Sequence, residues 1–240
     1  MNIDIVLITW PNHPKRIEYF KRCVKALKSN LRASKHDLIY KCVAEEQVDP
    51  TCTWCGDQLV NICKKEGIIL RWHPAPAGLG RNMNFAMDTA TSPTYFMVQD
   101  DWEMIHPCDI SLGASFLEAN QDVCMIRYSW PSDWPTFIPM EDGWRRIDIN
   151  GKWPYGDDPS LKRHDFTKKY GRFVEDCPHG VSEGRMLHNL VRRKADIRAN
   201  DVCCFGHMGL ISAIPDADDP RGYPPRRTEW MEEHDNKFAD

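Results

Sequence analysis

The sequence predicts a three-layer α/β/α domain on a mostly parallel central sheet, and three observations lead there. Strand-like apolar runs alternate with segments of helical periodicity along most of the chain, the pattern of parallel strands covered on both faces. At 240 residues with 42% hydrophobic content, the chain suits one large domain with a substantial core. The apolar run Tyr95-Phe96-Met97-Val98-Gln99 stops abruptly at Asp100-Asp101, and in open α/β sheets ligands gather beyond the carboxyl ends of the strands.

Ile3 to Trp10 reads as a first buried strand, and Pro14 suits the first turn of the helix that follows. In that helix Ile17, Phe20, Val24, Leu27 and Leu31 fall on one face. Leu38 to Ala44 is the second strand, ended by Glu45-Glu46. A helix near Asp57 to Glu66, with Gly67 as its C-cap, leads to a third strand, Ile68 to Trp72. Gly78-Leu79-Gly80 is a glycine turn entering a short helix whose apolar face is Leu79, Met83, Ala86, Met87 and Ala90. After the acids, a helix near Ile110 to Asn120 and a strand from Val123 to Tyr128 continue the alternation.

From Ser129 to about Asp165 the alternation fails: Trp130, Trp134, Trp144 and Trp153 lie among prolines and glycines with no clean period. A long irregular segment in a compact domain is usually functional, and aromatic rings stack well on sugar faces. Trp130, Trp134 and Trp153 are therefore candidates for acceptor binding, against the alternative that they pin a loop to the core. Ser182 reads as the N-cap of a helix carrying Met186, Leu187, Leu190 and Val191, and Ile197 to Phe205 as the last strand. The domain then covers 1–214, with 129–170 as an irregular acceptor or lid region, and 215–240 reads as an exposed tail.

The chemistry concentrates at two places. Asp oxygens are hard ligands suited to Mg²⁺ or Mn²⁺, an ion usually shared between carboxylates and substrate phosphates, so Asp100 and Asp101 are candidate metal ligands. Arg81 and Asn82 lie at a helix entrance, where free backbone donors and the positive end of the dipole favour an anion such as a diphosphate.

These pieces, in this order, resemble the nucleotide-sugar glycosyltransferases of the GT-A (Rossmann-like) fold, in particular the inverting family 2. The matching elements are Ile3 to Thr9, Arg16 in the first helix, Gly80-Arg81-Asn82 with Ala86, and Gln99-Asp100-Asp101, and the resemblance runs from about Ile3 to about Ser212. It implies an enzyme that moves a sugar from a nucleotide-diphosphate donor to an acceptor hydroxyl with Mn²⁺ or Mg²⁺. Donor contacts would come from Thr9, Arg16, Glu45 or Glu46, Gly80, Arg81, Asn82 and Asp100. Metal ligation would come from Asp100, Asp101 and His207, with Asp101 the first choice among Asp100, Asp101 and Glu103, since Gln99 stands where a strict DxD motif has an acid. The base that the family places at a helix start falls on Glu183 by helix alignment, with Ser182 in place of the first acid; by motif spelling it falls on Glu175 or Asp176.

Composition narrows the alternatives. A net charge of −4 argues against a nucleic-acid binder. No apolar run is long enough for a membrane span and no leader pattern opens the chain, so a cytoplasmic protein without an integral membrane segment is expected. Ten cysteines are scattered, and without a secretory signal free thiols are the default. Cys52 and Cys55 form a CxxC near Cys42 and Cys63, yet no second CxxC or paired His motif completes a zinc set. Two other classes remain. A sugar-1-phosphate nucleotidyltransferase would carry a glycine-rich loop after the first strand, whereas this turn is Trp10-Pro11-Asn12-His13-Pro14. A catalytically silent nucleotide- or carbohydrate-binding module would keep the fold without the base.

Overall fold

The computed structural model describes residues 2–46, 53–74, 78–129, 136–141, 143–151, 154–177 and 181–208. In chain order the elements are β1 (Asn2–Thr9), α1 (Pro14–Asn30), β2 (Leu31–Arg32), β3 (Asp37–Glu45), α2 (Thr53–Glu66), β4 (Ile69–His73), α3 (Gly78–Thr89), β5 (Thr94–Gln99), β6 (Trp102–Met104) and β7 (Cys108–Asp109). They continue with α4 (Ser111–Ala119), β8 (Val123–Arg127), β9 (Phe137–Ile138), β10 (Arg145–Ile147), β11 (Ser160–Arg163), α5 (Phe166–Tyr170), α6 (Val181–Arg192), β12 (Asp196–Ala199) and β13 (Phe205–His207).

Among the described residues a nine-stranded sheet runs in the order β4-β3-β1-β5-β11-β8-β12-β10-β9. Its first four strands are mutually parallel, as are β8 and β12. Because side chains alternate across a strand, β1 divides its apolar residues between two cores. Ile3, Ile5 and Leu7 join Ile17, Phe20 and Leu27 of α1, Leu59 of α2 and Leu117 of α4 on one face. Val6 and Ile8 join Met83, Ala86 and Met87 of α3, Phe166 of α5, and Met186 and Leu190 of α6 on the other. The sheet is thus covered on both faces, as the alternating pattern predicts.

Local signals set several boundaries. The side chain of His13 accepts from Lys15 N at 3.1 Å and caps α1, with Pro14 in the first turn, where a missing N–H costs nothing. Gly67 takes φ +65° after α2, the left-handed conformation expected of a C-cap glycine.

Three expectations need correction. The segment 129–165 is not irregular throughout: Ser160–Arg163 forms β11, which inserts antiparallel between β5 and β8 and joins the two parts of the sheet. Leu161 is buried on one face, and on the other Ser160 and Lys162 are fully buried as well, so apolar alternation could not reveal it. The strand expected over Ile197 to Phe205 is two strands, since Asn200 turns the chain by bonding the Val202 carbonyl with its side chain at 2.9 Å. Ser182 lies inside the first turn of α6 and donates to the Val174 carbonyl at 2.9 Å instead of capping the helix. The tail from 215 onward lies outside the described residues.

The end of the sheet away from the acids is tied by a buried ion pair. Asp4 Oδ2 accepts from Lys41 Nζ at 2.9 Å and from the amides of Thr91 at 2.6 Å and Ser92 at 2.8 Å, joining β1, β3 and the turn before β5. Burial alone would raise the Asp4 pKa, but the two amides and Lys41 hold it below its usual value of 3.8. The stabilisation is therefore present above that value and is lost as the pH falls through the lower folded-state value. Asp4→Ala, which strands the buried Lys41 ammonium, is expected to cost about 3 kcal/mol or more in urea unfolding at neutral pH.

Candidate active site

The carboxyl ends of the central strands form an acidic corner. Asp100, directly after β5, is buried and accepts from Thr9 Oγ1 at the end of β1 at 2.6 Å. One guanidinium nitrogen of Arg16, from α1, reaches Asp100 Oδ1 at 2.7 Å and Asp101 Oδ2 at 3.1 Å. His207 arrives on β13, which pairs antiparallel with β6, and its Nε2 lies 3.5 Å from Asp101 Oδ2. The His207 ring packs edge-on against Trp102 at 4.8 Å, and the Met208 amide donates to the Asp101 carbonyl at 2.7 Å. Sequence reading placed Thr9, Arg16, Asp100, Asp101 and His207 in one site, and the fold brings all five together.

The two carboxylates differ in character. Burial pushes Asp100 up to about 7, with Arg16 opposing and Asp101 adding to the rise. Burial acts the same way on Asp101, but His207 and Arg16 together hold it below the usual carboxylate range. Glu103 turns away to the exposed Arg22, so it is not part of this corner.

Beside it stand the residues of α3, and three of them differ from the expected arrangement. The helix begins at Gly78, so Arg81 and Asn82 lie about a turn inside it. Asn82 is buried and donates to Glu45 Oε2, at the end of β3, at 3.1 Å, whereas the adjacent Glu46 is exposed. Arg81 is engaged by acids: its guanidinium bonds Glu175 Oε2 at 3.2 Å and Asp176 Oδ1 at 2.8 Å. Gly80 is a packing glycine. A Cβ there would stand 2.0 Å from the Val174 carbonyl oxygen and 2.7 Å from Ser182 Oγ, so α3 and α6 meet the 173–175 strand of chain only because position 80 has no side chain.

That junction separates the three candidates for a base. Glu175 accepts from Asn84 Nδ2 at 2.8 Å as well as from Arg81, and Asp176, at φ +56°, receives two contacts from Arg81. Glu183, in the first turn of α6, points elsewhere and accepts from the Asp157 amide at 3.2 Å. The Asp157 carbonyl in turn accepts from Gln99 Nε2 at 3.3 Å. Two hydrogen bonds therefore lead from the residue preceding the acidic pair to Glu183.

Asp157 belongs to a buried polar group that sequence reading missed. Tyr155 donates to Asp157 Oδ1 at 2.8 Å; Lys162 Nζ donates to Ser160 Oγ at 2.7 Å; Arg127 bonds the Pro154 carbonyl at 3.3 Å and pairs with Asp158. Burial lowers Lys162 to about 8 and Arg127 to about 10. The adjacent acids Asp157-Asp158 were the available signal.

By sequence alone, no family model and no curated protein matches the chain. By structure, it is similar to Staphylococcus aureus TarS with a TM-score of 0.60 and 14% identity over 85% of this chain. Residues 1–349 of TarS in complex with UDP-GlcNAc give a TM-score of 0.58 and 16% identity over 88% of this chain, and the UDP complex gives 0.58 and 16% over 85%. The fold is GT-A. The chain spans 36% of the longer TarS chain and about 60% of the 1–349 portion.

Within this GT-A domain, Asp101 and His207 are the side chains that could hold a divalent ion. Asp101 Oδ1 is buried without a hydrogen-bond partner, and the carboxylate–imidazole set suits Mn²⁺, so the residues fit such an ion. Arg16 already bridges Asp100 and Asp101 at a single point, which marks where positive charge is favoured. Among the described residues no three ligating side chains cluster, so further ligands would be diphosphate oxygens or water. Trp130, Trp134 and Trp153 lie outside the described residues, as does Cys52 of the CxxC. Cys42, Cys55 and Cys63 are buried in the core and form no disulfide. Among the described residues no helix is long and apolar enough to cross a membrane.

The contact at Gly80 makes a direct test. Gly80→Ala is expected to destabilise by about 1–3 kcal/mol, because backbone rather than a flexible side chain blocks the new methyl. Gly184→Ala in α6 meets open space and should raise stability by about 0.4–1 kcal/mol, with thermal and urea unfolding as the readout.

Proposed function

We propose that this chain is a metal-dependent, inverting glycosyltransferase that moves a sugar from a nucleotide-diphosphate donor to an acceptor hydroxyl. The observation that carries the reading is the two-bond link, through Gln99 and Asp157, between the acidic corner of β5 and Glu183 at the start of α6. In this reading the cation-attracting pair and the Glu183 carboxylate, which accepts from the Asp157 amide, serve the same strand end. The GT-A fold and the UDP and UDP-GlcNAc complexes of TarS support a nucleotide-sugar donor.

In this reading Asp101 and His207, with Asp100 beside them, would hold Mn²⁺ or Mg²⁺. That ion, when bound, supplies Lewis-acid charge for the departing diphosphate. Arg16 adds fixed positive potential at the same place, preorganised by its two carboxylate contacts. Thr9 and the Glu45–Asn82 pair line the donor side, while Arg81 orders the 173–176 segment through Glu175 and Asp176 rather than touching phosphate.

Glu183 takes the proton of the acceptor hydroxyl. The freed oxygen pair bonds the anomeric carbon from the face opposite the diphosphate, the carbon–oxygen bond to the donor breaks, and the nucleoside diphosphate leaves with that electron pair. Glu175 and Asp176 are poor candidates for this role, since Arg81 binds both.

The test is to incubate the purified protein with a panel of nucleotide sugars, candidate hydroxyl acceptors and Mn²⁺ or Mg²⁺, and to measure released nucleoside diphosphate. Turnover should vanish on chelation, and Glu183→Ala should lower kcat by about 10²–10⁴-fold. Asp101→Ala should weaken Mn²⁺ binding, followed by the paramagnetic resonance of the free ion, besides abolishing turnover. Full activity in Glu183→Ala would remove the base assignment. Donor binding without release or transfer to any acceptor would favour a silent nucleotide- or carbohydrate-binding module.

A further inference from the structure

We infer that Arg16 is a built-in counter-cation for the acid pair: it holds Asp100 and Asp101 when no divalent ion is bound, yields Asp101 to the ion, and keeps its hold on Asp100. The inference rests on the reading that Asp101 and His207 take a divalent ion, and it names the residue that sets how tightly they take it.

Arg16 meets the acids as a point charge rather than as a fork. Its Nη1 alone reaches Asp100 Oδ1 at 2.7 Å and Asp101 Oδ2 at 3.1 Å, and among the described residues Nε and Nη2 meet no acceptor. Other arginines of the chain engage a carboxylate through two nitrogens. Arg172 bonds both oxygens of Asp88 at 2.9 and 2.7 Å, and Arg163 bonds both of Asp165 at 2.9 and 3.2 Å. Such parallel bonds are the strong kind that fixes geometry. One nitrogen shared between two carboxylates is instead how an ion is shared.

The contact with Asp101 competes with ion binding. His207 Nε2 stands 3.5 Å from the same oxygen, Asp101 Oδ2, and adjacent ligands of one octahedral ion with bonds of about 2.1 Å lie about 3 Å apart. The Trp102 ring, edge-on at 4.8 Å, backs His207 in that place. An ion held by Asp101 Oδ2 and His207 therefore shares its oxygen with the Arg16 nitrogen, and like charges so close repel strongly away from bulk water. The two ends of the bridge differ in depth. The Asp100 side chain is 4% exposed and that of Asp101 14%, whereas that of Arg16 is 26% exposed. Asp100 is also tied to Thr9 by a 2.6 Å bond. The guanidinium can thus turn about the shorter, deeper contact and release the outer one. Nε and Nη2 then remain to donate to diphosphate oxygens that arrive with the ion. Ion and diphosphate support each other's binding, and the protein alone holds the ion weakly.

The experiment compares wild type, Arg16→Met and Arg16→Lys in the whole chain, with bound Mn²⁺ read from the paramagnetic resonance of the free ion. Arg16→Met should bind Mn²⁺ about tenfold tighter or more, because the competing charge is gone, while Arg16→Lys should stay near wild type. Without added metal, Arg16→Met should unfold at a lower temperature than wild type, and saturating Mn²⁺ should raise its midpoint by more. A crystal structure of wild type with Mn²⁺ should show Arg16 Nη1 on Asp100 Oδ1 and beyond hydrogen-bonding distance of Asp101 Oδ2. Equal or weaker Mn²⁺ binding by a folded Arg16→Met, or Arg16 still on both carboxylates beside a bound ion, would overturn the inference and leave the metal reading intact. Mn²⁺ bound by none of the three proteins would refute the metal reading and the inference with it. Should Arg16→Met fail to fold, the Mn²⁺ structure of wild type decides alone.

Discussion

Two adjacent carboxylates at the tip of a central strand are the constraint on which the rest of this domain depends. Asp100 is buried and Asp101 nearly so, and two like charges there cannot persist without a cation and donors. The surrounding elements meet that requirement one by one. The first helix contributes Arg16, the first strand contributes Thr9, and the β6–β13 ribbon, tied by the Met208 amide to the Asp101 backbone carbonyl, carries His207 to the Asp101 carboxylate. The elements that neutralise the acids also build the walls of the site, so local stability and binding geometry share the same residues.

A second contact governs the opposite wall. Gly80 lets the backbone of residue 174 approach α3, and Ser182 Oγ closes on the same carbonyl from α6. Asn84 clamps the segment further, exchanging hydrogen bonds with the Phe173 backbone at 3.0 Å in each direction. The start of α6 is thereby set against α3, and Glu183 follows it immediately. Arg81 completes the junction on its outer side by neutralising Glu175 and Asp176.

The N-terminal half of the fold was legible because its signals are local. Continuous apolar runs in β1 and β5, helical spacing in α1 and α3, and the glycine after α2 each act within a few residues. The acidic corner was legible for a related reason: an apolar strand ending in carboxylates is a contrast visible in a short window. What escaped was encoded by long-range pairing. β11 holds its place with Ser160 and Lys162 buried against Tyr95 and Met97, a pattern that reads as loop when its partners are unknown. Asp157 escaped with it, since its importance comes from Glu183 and Gln99, far away in sequence. Arg81 and Gly80 were recognised as special, but their partners at 174–176 could be found only in three dimensions, and those partners turn an anion-binding expectation into a packing and ion-pairing one.

The late arrival of β11 bears on how the chain is made. On the ribosome, the parallel half β4-β3-β1-β5 is complete once residue 99 has emerged, yet the strand that covers the free side of β5 is residues 160–163. Until then Tyr95, Phe96, Met97 and Val98 border a bare hydrogen-bonding edge, the kind of surface that templates pairing with another chain. The acids that organise the site therefore stand at the tip of the strand most open to misassembly during synthesis, and the charged, short β11 is what retires that edge.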